Sequence, residues 1–243
     1  MNDQKIYRIA GISALVCIAT CFIEFPFYLV RTAWPGLAAS DKLGDFAARN
    51  GTNIMCCVFL DFIILTLLMI FLAGVRHLIR HTNPQHEWLA SLFFGVGLVF
   101  VTLTVVADSL QGATAVDGFN PPADGVVVRA MMESTILMYG AAALWLLALL
   151  MAILSYVTLA SGALPRWSAW FGYACALVCL AFVPAMFVRH VDMLGFYNPA
   201  GLGVEAFANT FPLAAWMIAI GVSLLRKRAP ALDSAGGVAG LGR

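Results

Sequence analysis

The chain has 243 residues, 62% of them hydrophobic and only 11% charged, and its fourteen Lys and Arg nearly balance thirteen Asp and Glu. Such a composition excludes an ordinary soluble domain. A net charge of +1 also leaves no basic footprint for nucleic acid, so the expected partners are the lipid bilayer and a small-molecule or lipid ligand.

Hydropathy predicts an all-α polytopic bundle of six transmembrane helices, at about 6–30, 53–74, 88–111, 130–160, 167–188 and 206–225. Each exceeds the roughly 17–20 residues needed to cross about 30 Å of hydrocarbon. The alternating pattern of a barrel is absent, and helices satisfy their own backbone groups in lipid. Residues 1–228 form this one domain, and the Gly-rich tail 229–243 reads as disordered.

The first span follows Lys5 and Arg8 as a signal peptide would, but its apolar run is longer than a signal core of roughly 7–15 residues, so it reads as a retained helix. It carries Glu24 on a stripe with Cys17, Thr20, Cys21, Tyr28 and Arg31. The second carries Asp61, with Asn53 and Cys57 on or near its face, and the third aligns Gly97, Thr104, Asp108 and Gln111. The fourth opens with Arg129 and Glu133. His190 follows the fifth, and Asn209 enters the sixth.

Between the fourth and fifth spans, SYVTLASGALPRWSAWFGYACALV closes one helix on Gly162 and starts the next after Pro165. This hairpin resembles one found in uncharacterised bacterial six-helix integral membrane proteins, many of which carry a similar Leu-Pro-Arg-Trp turn. Ser168 and Ala169 stand where those proteins often have Gly. The resemblance implies a multi-pass protein of the bacterial cytoplasmic (inner) membrane and carries over no catalytic residues.

Counting Lys and Arg, nine lie on the side of the termini and five on the other, which predicts cytoplasmic termini. Glu24 then sits roughly 10 Å, and Asp61 roughly 13 Å, below the outer helix ends, with Asp108 and Glu133 at roughly 5–6 Å. A carboxylate at such depth costs roughly 2.5–3.5 kcal/mol on insertion scales unless protonated, paired or solvated. The expectation is one polar cavity, opening outward among the first four helices and closed by the sixth, with Glu24 and Asp61 at its centre.

Each acid also has a plainer reading. Glu133 pairs with Arg129 at the surface; Asp108 is solvated near the interface or caps a loop; Glu24 snorkels toward Arg31; Asp61 is a protonated acid bonded inside the bundle. His77 and His81, spaced i, i+4, suit a metal, but no Cys or second acidic ligand lies near them in sequence and a solvated basic loop is favoured. Met131, Met132, Cys56 and Cys57 read as packing rather than as a copper site. No cofactor is expected, and no Lys lies in any span.

Three functions fit: a membrane protein binding or transporting a small cation, proton or amine-bearing ligand; an intramembrane acid/base enzyme acting on a lipid or isoprenoid-like substrate; and a structural or accessory subunit.

Overall fold

The computed structural model describes residues 3–29, 40–116, 124–188, 195–199, 201 and 203–227, without the side chains of residues 28, 29, 40 and 41. Eight α-helices account for most of them: α1 (Asp3–Leu29), α2 (Ser40–Arg49), α3 (Gly51–Thr82), α4 (Glu87–Val116), α5 (Gly125–Leu137), α6 (Ala143–Ser161), α7 (Arg166–Phe182) and α8 (Phe211–Arg226). Among the described residues there is no strand. Helices α5 and α6 are two parts of one span, joined through Met138–Ala142, so six segments are long and apolar enough to cross a membrane, as the hydropathy predicts. The protein is a multi-pass membrane protein.

The six spans pack in chain order, α1 on α3, α3 on α4, α4 on α6, α6 on α7 and α7 on α8, and α8 returns to α1. Between apolar helices in lipid, association comes from close packing rather than from a hydrophobic drive, and small residues permit it. The α1–α8 seam follows this rule: a Cβ added to Gly11 would lie 2.8 Å from the Gly221 carbonyl oxygen and 2.7 Å from Leu225 Cγ. Gly74 rests on Ala10, and Gly97 rests on Leu72. Gly95 meets nothing, so of the Gly95/Gly97 pair only the second is a packing glycine.

Inside the ring, Phe71, Phe93, Leu147, Leu150 and Trp216 are fully buried. Phe71 meets Trp216 edge-on, with centroids 5.8 Å apart at 87°, a geometry worth about 0.5–1.5 kcal/mol beyond burial. Exposed Phe22, Phe59, Phe62 and Leu177 face outward, as lipid contact requires.

The hairpin between α6 and α7 forms where its residues predict. Gly162 takes a left-handed conformation (φ 65°), and its amide donates to the Thr158 carbonyl at 3.0 Å. Pro165 caps α7, while Trp167 and Trp170 stay exposed, as an interfacial position requires. Lys227, just past α8, donates to the Ala163 carbonyl at 2.6 Å and ties the last helix to this turn.

Helix α2 is absent from the hydropathy reading, which treats residues 31–52 as a loop. Its Leu43, Phe46 and Ala47 recur at helical spacing and pack on Ile54, Ala115, Val128, Met132 and Ile136. A short amphipathic helix thus covers the ends of α3, α4 and α5 on the side opposite the termini. Residues Arg31 and His190 and the tail 229–243 lie outside the described residues, as does the side chain of Tyr28.

Candidate functional site

The third span runs to Val116, five residues past its predicted end. Asp108 is therefore about 12 Å from the helix terminus rather than about 5 Å. Gln111, Gly112, Thr114 and Ala115 above it are all buried. Hydropathy falls at Gln111 because those residues are polar or small, yet α2, α3 and α5 pack around this end of α4. Asp108 is 0% exposed. Thr104, one turn below, is buried too, its hydroxyl donating to the Phe100 carbonyl at 2.9 Å. The predicted stripe of Thr104, Asp108 and Gln111 does face the interior.

The Tyr139 hydroxyl donates to Asp108 Oδ1. Tyr139 sits in the π-helical stretch Met138–Ala142, where Gly140 leaves helical geometry (φ −81°, ψ −108°). A break in the ladder turns a backbone carbonyl away from its usual donor, and such a group needs another partner. Asn209 Nδ2 supplies one, donating to the Tyr139 carbonyl at 3.2 Å. Asn209 itself belongs to a second π-helical stretch, Gly203–Thr210, which opens the sixth span.

The fifth span breaks as well, passing from α-helix to a 3-10 turn over Val183–Phe187 at Pro184. The stretch around Tyr139 contacts both the 3-10 turn and the Gly203–Thr210 stretch, so the breaks of spans four, five and six meet. Space there is tight, since a Cβ on Gly140 would lie 3.2 Å from the Pro199 carbonyl oxygen. Pro212, which lacks an N–H, cannot serve the Ala208 carbonyl four residues back; the buried Cys179 thiol donates to it at 3.1 Å. One member of the Cys175/Cys179 pair thus has a bonding role beyond packing.

The other predicted acids differ in their surroundings. Glu133 accepts from Arg129 Nε at 2.8 Å, both side chains about half exposed. That is an ordinary i, i+4 surface pair, worth about 0.3–0.5 kcal/mol. Glu24 and Asp61 are half-buried, on α1 and α3. Asp61 lies within electrostatic reach of Cys21 on α1, and nearby Cys17 donates to the Ile64 carbonyl of α3 at 3.6 Å. Asn53 is half-buried in the first turn of α3.

Helix register relates these acids in depth. Gly97 faces Leu72 and Gly112 faces Val58 across the antiparallel α3–α4 contact. Continuing that register sets Asp108 level with Asp61, and Glu24 is about one turn from the same level on α1. Asp108, Asp61 and Glu24 occupy neighbouring helices at one depth, but only Asp108 is drawn wholly inside.

Two residues at the helix breaks escape a reading by composition. Tyr139 resembles any other apolar-span aromatic, and only the Gly after it hints at a break. Glu205, assigned by hydropathy to a loop, is half-buried in the Gly203–Thr210 stretch, four residues before Asn209. That spacing was the available signal. The chain matches no family model, no curated protein and no solved structure.

Proposed function

We propose that the protein binds a proton, a small cation or an amine-bearing ligand at Asp108, within a binding or transport activity of the bacterial cytoplasmic membrane. The observation that carries this reading is the buried Asp108 carboxyl, held by a tyrosine from a broken helix. A carboxylate removed from water is stabilised by a proton or by a cation brought to it. Discontinuous helices that meet near buried polar groups are a recurrent way of building such sites in membranes. In this reading Glu24 and Asp61 extend the acidic level toward α1, and Glu133 with Arg129 belongs to the rim. The Lys and Arg distribution supports a site nearer the outer face.

Infrared difference spectroscopy on the reconstituted protein tests the proposal. A protonated carboxyl stretch that titrates with pH, or shifts on adding a monovalent cation or an alkylamine, is expected in the native protein and absent in Asp108→Asn. The asparagine keeps an acceptor for Tyr139, so the fold is preserved. A responsive band set that is unchanged in Asp108→Asn, or no responsive band in the native protein, overturns the assignment.

A further inference from the structure

At the other end of the bundle, Asp3 in the first turn of α1 comes against the last turns of α3. Its Oδ1 lies 3.0 Å from His77 Nε2, and its Oδ2 lies 3.9 Å from His81 Nδ1. The two imidazoles are one helical turn apart, with centroids 4.2 Å apart. All three residues present a ligand atom within 4.8 Å of the others. The acid that faces His77 and His81 comes from a residue more than seventy positions away.

We propose that Asp3, His77 and His81 bind one divalent first-row transition-metal ion, which clamps the start of α1 to the end of α3. A tetrahedral ion with bonds of about 2.0–2.1 Å needs ligand atoms about 3.3 Å apart, and the two separations from Asp3 to the histidines bracket that value. Small side-chain rotations close the rest. Two imidazoles and one carboxylate select an ion of the zinc, cobalt or nickel kind over magnesium or calcium, which take oxygen ligands.

The surroundings suit the ion. Of the cations bordering the site, Arg80 pairs with Glu87 at 2.9 Å and Arg76 lies over the Phe94 ring at 5.2 Å. Tyr7, buried and one turn along α1 from Asp3, sets its ring 6.2 Å from that of His77 and walls one side. The other side is an open cleft bordered by His77, His81, Arg80 and Glu87, which gives an ion a path in and leaves a coordination position for water. This site is independent of Asp108, and the two proposals stand or fall separately.

The test uses the full chain in detergent, stripped of metal and freed of any purification tag, titrated with Zn²⁺ against a chromogenic chelator. One equivalent of Zn²⁺ per chain is expected, raising the unfolding temperature and unaffected by excess Mg²⁺. Binding should weaken at least about tenfold in His77→Gln, in His81→Gln and in Asp3→Asn, since even outer-shell partners are worth that much. Co²⁺ should give the visible absorption of a low-coordinate nitrogen and oxygen site in the native chain. Failure of the native protein to bind an equivalent overturns the proposal whether or not the variants fold. Unchanged affinity in the triple variant, or in Asp3→Asn alone, overturns this ligand set.

Discussion

The two halves of the bundle solve the same problem differently. On the side of the termini the helices are regular, their contacts made by Gly11, Gly74, Gly97 and Gly221 against small or apolar neighbours, around a filling of Phe71, Phe93 and Trp216. On the opposite side lie Thr104, Asp108, Gln111 and Thr114, all buried, together with two π-helical stretches, a 3-10 break and the covering helix α2. Regular helices leave no spare backbone groups, so packing alone suffices where side chains are apolar. Where a carboxyl must be satisfied inside, the backbone is irregular and offers partners of its own.

Six substitutions would break or sharpen that contrast. Gly11→Val forces a side chain into the α8 backbone and should cost about 3 kcal/mol or more, read as a fall in unfolding temperature in micelles. A silent Gly11→Val would mean that the regular half is not held by close approach. Asp108→Ala leaves the Tyr139 hydroxyl without its acceptor and should cost about 1–3 kcal/mol, whereas Asp108→Asn should cost less than about 1. Equal losses in both variants would assign the stability to charge rather than to the hydrogen bond.

Smaller effects come next. Asn209→Leu removes one bond to a backbone carbonyl at the break, and about 0.6–1.7 kcal/mol is the expected loss by the same measurement. Smallest of all, Arg129→Ala and Gly95→Ala should each stay within about 0.5 kcal/mol of the native protein, since one removes an exposed ion pair and the other adds a methyl in open space. A larger change at either would show that the exposed surface carries a contact absent from the isolated chain.

The spans were legible because hydropathy over some twenty residues integrates a large signal, and the Gly162–Pro165 turn because its two residues each restrict the backbone. Helix α2 was less so. Leu43, Phe46 and Ala47 do mark a face, but ten residues with four charges make a weak case beside six long apolar runs. The end of the third span falls five residues beyond the predicted one for a related reason: the residues after Asp108 are polar or small, and the sequence alone cannot show that neighbouring helices cover them. The join of Tyr139 to Asp108 and the meeting of Asp3 with the His77/His81 pair depend on contacts between distant segments, to which local periodicity is blind. The predicted stripes told which faces point inward, not which acid would be sealed.

Ring closure between α8 and α1 sets a clock on biogenesis. Gly11 and its partner Gly221 are separated by nearly the whole chain, and at about 5–20 residues per second the ribosome needs roughly 10–40 s to make what lies between them. During that time α1 can dock on α3, but its glycine face toward α8 stays open to whatever else the membrane holds. The last helix is the one that completes the first. Truncating the chain before residue 211 should therefore leave α1 accessible to crosslinking with insertion or chaperone factors long after α1 and α3 have met.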